Sequence, residues 1–199
     1  MRLPSLFRLQ MILTITVLLA ACSDSGQWHG KDISGLMPEL TFELTNDQGE
    51  AVTAEQYQDQ IRLLFFGFTS CPDVCPATLA KLNKAIRAMP EPLRTDVTAL
   101  FVSVDPQRDT PEKIAAYVNF FGERTVGLTG DEPALRKLAK RYRTTFGYDK
   151  PDERGNYAVS HSSAVYVFDR QGKARLLFQS DLSADQIAED LTQLARGAG

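Results

Sequence analysis

The fold is decided by residues 61–89, which read IRLLFFGFTSCPDVCPATLAKLNKAIRAM. Ile61–Phe68 is almost continuously apolar, as in a strand that is covered on both faces of its sheet. In Val74–Met89 the apolar side chains recur three and four residues apart, which predicts a helix, and Pro90 ends it. A buried strand that leads into a helix is typical of α/β proteins.

The rest of the chain alternates strands and helices in the same way. We predict further strands at Leu40–Leu44, Val97–Val104, Val126–Thr129, Ser163–Phe168 and Ala174–Phe178. We predict further helices at Pro133–Tyr142 and Ser183–Ala195, and one that begins at Asp109-Thr110-Pro111-Glu112. This order predicts an α/β fold with a mixed sheet flanked by helices, and it matches thioredoxin-like topology. An inserted loop is expected near residues 143–160, and loops of that length are usually functional or mobile.

Composition and charge restrict the class of protein. With 43% hydrophobic and 24% charged residues, the chain has the composition of a globular protein and not of a disordered one. The balance of 22 basic against 25 acidic residues gives no electrostatic reason to bind nucleic acid, so we expect no such partner. Residues 35–199 have the length of one domain with one core. Three cysteines are too few for a disulfide-rich scaffold.

Residues 1–21 have the pattern of a bacterial lipoprotein signal peptide. Met11–Ala21 is an apolar run that follows two arginines and is too short to span a bilayer. It leads into Leu19-Ala20-Ala21-Cys22, which resembles a lipobox, so we predict cleavage before Cys22 and lipidation of its sulfur. The alternative is a plain signal peptide with a cysteine nearby by coincidence.

A lipid at Cys22 would determine both the compartment and the use of the other cysteines. Residues 22–34 would then be a lipid-anchored tether, in which His29 needs no function. We expect the periplasmic side of a bacterial membrane, the inner membrane being favoured over the outer. Free thiols in that oxidising compartment indicate a function. With Cys22 lipidated, the remaining cysteines are Cys71 and Cys75.

Cys71 and Cys75 lie where the predicted strand Ile61–Phe68 ends and the next helix begins. Reactive groups collect at the carboxyl ends of strands in α/β sheets, and a helix N-terminus favours a thiolate over a thiol. A spacing of four residues places both sulfurs on one side of the first helical turn. The pair could share a metal ion or approach a disulfide, and it could also be purely structural.

His161 is the other residue that can bind a metal in this region, because it directly precedes the strand Ser163–Phe168. In a thioredoxin-like sheet that position lies beside the cysteine turn. Two thiolates and an imidazole suit Cu(I), Cu(II) or zinc, and the ligand set alone does not separate these metals. A histidine in a solvated loop without a ligand role is the alternative.

Two aspartates follow the predicted strand Val97–Val104. Asp105 could orient a metal ligand, and it could equally make only a turn with Pro106. Asp109 and Thr110 are better explained as caps of the following helix than as ligands.

Three blocks of sequence resemble the Sco/SenC family of copper proteins. They are FGFTSCPDVCP at Phe66–Pro76, VSVDPQRDTPE at Val102–Glu112, and His161–Ser163 with the strand that follows. They occur in order across roughly residues 35–195, which is almost the whole predicted domain. The combined match is far more specific than the cysteine pair alone.

The resemblance implies a thioredoxin-like domain with Cys71, Cys75 and His161 as ligands of Cu(I) or Cu(II). It implies a role in assembling the binuclear copper centre of cytochrome c oxidase, as a copper chaperone, as a thiol reductant or as both, and we favour the chaperone. The expected partners are the copper-bearing subunit of that oxidase and other copper carriers. Many members have a transmembrane anchor, whereas this chain carries the lipidation pattern at Cys22.

Two other functions fit the same residues. A thiol:disulfide oxidoreductase would use Cys71 for attack and Cys75 to resolve a mixed disulfide, and it would not need His161. Thioredoxin-like reductases generally carry a cis-proline directly before the strand that corresponds to Ser163–Phe168, and this chain has none there. A copper or redox sensor would bind the metal without passing it on. Whether the chain is an enzyme therefore stays open at this point.

Overall fold

The computed structural model describes residues 27–197. The predicted signal peptide, the lipidation site at Cys22 and the first residues of the predicted tether lie outside this range. Among the described residues, no helix combines the length and the apolar character needed to cross a membrane.

The described chain alternates strands and helices in the predicted order. The strands are β1 (Lys31–Asp32), β2 (Glu43–Asn46), β3 (Ala51–Thr53), β4 (Ile61–Gly67), β5 (Val97–Ser103), β6 (Thr125–Thr129), β7 (Gly147–Tyr148), β8 (Val159–Ser160), β9 (Val165–Phe168) and β10 (Ala174–Phe178). The helices are α1 (Val74–Ala88), α2 (Glu91–Arg94), α3 (Pro111–Val118), α4 (Glu132–Arg141) and α5 (Ala184–Arg196). Each long element that the apolar pattern predicted is present to within three residues at either end.

Eight of the strands form one mixed sheet in the order β1-β10-β9-β4-β5-β6-β2-β3. β4, β5 and β6 are parallel to one another, whereas β9 runs antiparallel to β4 with Phe65 opposite Val165. Because of that antiparallel pairing, the start of β9 lies beside the end of β4. The segment after β4 and the segment before β9 therefore meet at one end of the sheet.

The core lies along the two central strands, since β4 and β5 are buried at every position. Helix α1 contributes Leu79, Leu82 and Ile86 to that core and packs beside α5, while α3 packs against β6. A mixed sheet flanked by helices confirms the predicted fold class.

Three short pieces of sheet were not predicted. The first is β3, which forms a hairpin with β2. β2 is the strand expected at Leu40–Leu44, and it begins later, at Glu43. The inserted loop contains a second small sheet in which β7 and β8 are paired, with Gly147 opposite Ser160. We call residues 147–161 the hairpin arm.

The third piece is β1, which lies within residues 22–34, the segment predicted as a tether. Lys31 and Asp32 pair with β10 at the edge of the sheet. The carboxylate of Asp190 in α5 accepts hydrogen bonds from the backbone N–H groups of His29 at 3.0 Å and Gly30 at 2.7 Å. The domain therefore begins before residue 35, and His29 contacts it through a 2.8 Å hydrogen bond to Glu189.

Replacing Asp190 by alanine is expected to lower the free energy of unfolding by about 2–3 kcal/mol. Asp190 is only 1% exposed, and its loss leaves the buried N–H of Gly30 and the partly buried N–H of His29 without their partner. Urea denaturation measures the change. Glu189→Ala is the matched control, because that side chain is 69% exposed and its contact with His29 is worth less than about 1 kcal/mol. Equal losses in the two variants would contradict the assignment.

Candidate metal centre

The two cysteines lie where β4 leads into α1. Cys71 is in the connecting segment, residues 68–73, which we call the cysteine turn, and Cys75 is the second residue of the helix. The N–H of Cys71 donates to the carbonyl of Phe68 at 3.2 Å, and the N–H of Cys75 donates to the Cys71 sulfur at 3.4 Å. The second of these bonds comes from an N–H in the first turn of α1. The side chain of Cys75 points into the core, where it is 0% exposed, whereas Cys71 is half-buried.

Gly67, the last residue of β4, leaves room for the sulfur of Cys75. A β-carbon at this position would lie 2.6 Å from the Phe101 ring and 2.8 Å from the Cys75 Sγ. Both distances are shorter than real β-carbons adopt, so a side chain here would force movement of the ring, the sulfur or both. Glycine at position 67 therefore allows the sulfur to lie against the end of the strand.

His161 reaches the cysteines from the hairpin arm, one residue beyond β8. Its Nε2 lies 3.3 Å from the Cys75 Sγ, and its Nδ1 lies 3.0 Å from the carbonyl of Ser162. A carbonyl only accepts, so Nδ1 carries the ring proton and Nε2 presents its lone pair to the sulfur. The rings of Phe65 and Phe68 contact the imidazole edge-on, with centroids at 6.1 and 5.7 Å. These contacts fix the orientation of the ring.

The three ligand atoms form one cluster, which confirms that the predicted residues come together. The sulfurs of Cys71 and Cys75 and a ring nitrogen of His161 all lie within 4.8 Å of one another. Bonds of about 2.3 Å to sulfur place two ligands of one ion up to about 4.6 Å apart, so only a small adjustment is needed for all three to bind it. Among residues 27–197, this is the one group of three such side chains found.

Burial controls the protonation of the inner cysteine. Removal from water raises the pKa of the Cys75 thiol well above its ordinary value, because the charged form is penalised in the core. Cys75 is therefore a thiol in the metal-free protein, and a bound metal ion would replace its proton. Two sulfurs and one imidazole fit copper, and they fit zinc with an open position equally well.

The two aspartates that were considered from the sequence do not contact the ligand atoms. Asp105 is 0% exposed and accepts hydrogen bonds from the Tyr157 hydroxyl and the Arg108 Nε, both at 2.6 Å. Thr110 caps α3, as predicted, by accepting from the N–H of Lys113 at 3.3 Å. Asp109 was interpreted as a cap as well, but the side chain that caps α3 is that of Thr110.

Asp109 binds the cysteine turn instead. Its carboxylate accepts from the Thr69 N–H at 2.8 Å, from the Thr69 hydroxyl at 2.5 Å and from the Ser103 hydroxyl at 2.6 Å. The local Asp-Thr-Pro pattern of a helix start conceals this contact, which joins residues 40 positions apart. Sequence reasoning also missed Gly67 and Tyr157, and for Tyr157 the sequence offers no signal beyond its place in the inserted loop.

Comparison with known proteins gives a consistent result. The sequence model described as SCO1/SenC matches residues 36–196. The SCO2-like protein of Rickettsia prowazekii is 33% identical over 149 residues, which is 74% of this chain and 72% of that protein. The copper-bound structure of ScoI from Bradyrhizobium japonicum is 35% identical, with a TM-score of 0.71 over 78% of this chain and 98% of that one. A SCO1/SenC family lipoprotein from Bacillus anthracis is 28% identical, with a TM-score of 0.69 over 85% of this chain and 100% of that one.

Proposed function

Because the chain belongs to the SCO1/SenC family, we propose that it is a copper chaperone. It holds copper through Cys71, Cys75 and His161 and passes the ion to the binuclear copper centre of cytochrome c oxidase. The observation that carries this proposal is the cluster of two free sulfurs and one oriented imidazole within 4.8 Å. The copper-bound ScoI relative, at 35% identity, favours copper over zinc.

The unequal burial of the ligands suggests how copper leaves. Cys71 is half-buried and His161 lies beside the exposed end of the hairpin arm, whereas Cys75 is inside the core. A thiolate of the acceptor therefore reaches the ion on the side of Cys71 and His161. Transfer proceeds by ligand exchange, in which each sulfur of the acceptor replaces a ligand of the donor and Cys75 releases the ion last. The oxidation state of copper does not change in these steps.

The proposal is tested by anaerobic titration of the reduced full chain with Cu(I) against a competing chelator. His161→Ala is expected to weaken the binding by at least about 100-fold. Loss of a group that only positions a ligand costs about 10- to 100-fold in metal affinity, and loss of the ligand itself should cost more. His29→Ala is the control, because that imidazole binds Glu189 and not the cysteine turn. Weak wild-type binding, or binding that ignores His161, would contradict a three-ligand copper site.

A thiol:disulfide oxidoreductase is the second candidate, and the exposure difference between the two cysteines favours it. The Cys71 thiolate would attack a disulfide of the acceptor, and Cys75 would then break the mixed disulfide. The acceptor gains two electrons as two thiols, the chain keeps a Cys71–Cys75 disulfide, and a periplasmic thiol reductant must reduce it again. This activity needs both cysteines and tolerates His161→Ala, so the same variant separates the two functions.

For location, we propose lipidation at Cys22 and attachment to the periplasmic side of the inner membrane. The sequence pattern at residues 19–22 and the family lipoprotein of Bacillus anthracis support an anchor of this kind. Intact mass of the mature chain, wild type against Cys22→Ala, tests the anchor, and an unmodified Cys22 would contradict it.

A further inference from the structure

We propose that Asp105 and Asp109 are positioning residues for the copper site, each holding one of the two segments that carry its ligands. Asp109 holds the cysteine turn through Thr69, and Asp105 holds the hairpin arm through Tyr157. The inference rests on the proposed copper site. It extends that site to four residues that touch no ligand atom but determine how closely the ligands approach one another: Thr69, Asp105, Asp109 and Tyr157.

The contact of Asp109 fixes the backbone just before the first cysteine. Thr69 is two residues before Cys71 and is bound through both its N–H and its hydroxyl. Asp109 is only 1% exposed, and its charge is balanced by Lys113, whose Nζ lies 3.2 Å away and also reaches the Ser70 hydroxyl at 3.4 Å. A buried carboxylate with this many donors has one available orientation, so Thr69 has a fixed place relative to β5.

The contact of Asp105 fixes the arm just before the histidine. Tyr157 is four residues before His161, with β8 between them, and its hydroxyl donates to Asp105 at 2.6 Å. Arg108 binds Asp105 through Nε and donates from Nη1 to the Tyr157 carbonyl at 3.0 Å. Its guanidinium also stacks on the Tyr157 ring, with the central carbon 3.6 Å from the ring centroid. Tyr157 is therefore held by its hydroxyl, its ring and its backbone.

One turn carries both contacts, because Asp105 and Asp109 lie in the segment between β5 and α3. The N–H of Asp109 donates to the carbonyl of Asp105 at 2.9 Å, which sets the two carboxylates relative to each other. The cysteine turn and the hairpin arm are therefore both held by the same short piece of backbone. Metal ligands need placement to within about 0.5 Å, and groups that hold them contribute about 10- to 100-fold to metal affinity.

The experiment compares Tyr157→Phe and Thr69→Val in the full chain, each alone and combined with His161→Ala, by chelator competition for Cu(I). Tyr157→Phe keeps the ring that stacks on Arg108 and removes only the hydroxyl. It is expected to weaken Cu(I) binding about tenfold alone and to have no further effect when His161 is absent, since it acts through that residue. Thr69→Val is expected to weaken binding in both backgrounds, because it acts through Cys71.

Two controls exclude a general loss of stability. Tyr142→Phe removes a hydroxyl that bonds to Glu39 at 3.0 Å, away from the site, and is expected to leave copper affinity unchanged. Thr69→Ser keeps the hydroxyl and is expected to retain wild-type affinity where Thr69→Val loses it.

The outcomes separate the inference from the proposed function. If wild type binds Cu(I) tightly and Tyr157→Phe matches it, or if Tyr157→Phe costs the same with and without His161, the positioning role is wrong and the copper site stands. If wild type itself fails to bind Cu(I), both are wrong.

Discussion

A Cys75→Ala variant is expected to fold and to lose tight copper binding altogether. The side chain is 0% exposed, so alanine replaces a small apolar group by a smaller one, and the free energy of unfolding falls by only about 1–2 kcal/mol. The metal site loses the sulfur that lies 3.3 Å from the His161 Nε2. Soft sulfur ligands are what select Cu(I), so the effect should exceed that of removing the imidazole.

Anaerobic Cu(I) titration with a chelator measures the loss, and urea denaturation confirms that the variant is folded. Cys71→Ala is expected to abolish tight binding as well, with a smaller effect on stability because Cys71 is only half-buried. Cys22→Ala removes the proposed lipidation site, which is not among the proposed ligands, and should keep the stoichiometry at one copper per chain. A Cys75→Ala protein that still binds Cu(I) as wild type does would falsify the assignment of Cys75 as a ligand.

The second large effect is expected from Gly67→Ala, which adds a single methyl group at the end of β4. That methyl would be 2.8 Å from the Cys75 sulfur and 2.6 Å from the Phe101 ring, so the packed core must shift. Overpacking of this kind costs about 1–3 kcal/mol of stability. Because one of the two displaced groups is the sulfur of a proposed copper ligand, copper affinity should fall together with stability.

A double variant separates the two consequences. Phe101→Leu shortens the side chain that meets the new methyl, so Gly67→Ala with Phe101→Leu should regain stability while copper affinity stays low. Gly130→Ala is the control for crowding, because its β-carbon would meet the Leu44 side chain at 2.8 Å, away from the metal centre. Gly130→Ala should keep wild-type copper affinity. Wild-type affinity in Gly67→Ala would show that the sulfur has more room than the structure indicates.

The long elements of the fold could be predicted because their own sequence determines them. β4 is an apolar run that only a two-sided core can bury, and α1 has an apolar stripe that repeats at the helical period. β1, β3 and β8 have two or three residues each, and they form strands only because they pair with other strands. β1, for example, depends on Leu176 and Leu177 on a strand that lies far along the chain. No local pattern encodes such a pairing.

The candidate metal centre could likewise be predicted only in part. That Cys71, Cys75 and His161 come together could be predicted, because few residue types bind soft metals and the family motifs mark their positions. The roles of Asp105 and Asp109, which bind the neighbouring segments, could not be predicted. An aspartate before a helix has the sequence pattern of a cap whatever it contacts in the structure. Only the three-dimensional structure shows that the carboxylate of Asp109 reaches back to Thr69.

The antiparallel pairing of β9 with β4 also links metal loading to folding. Cys75 and His161 are 86 residues apart in sequence, so the complete ligand set exists only after the sheet has formed. An unfolded chain offers little more than the cysteine pair, and copper therefore binds the native state in preference. Copper at a hundred times its dissociation constant would stabilise the native state by about 2.7 kcal/mol. The copper-bound chain should therefore resist proteolysis better than the metal-free chain.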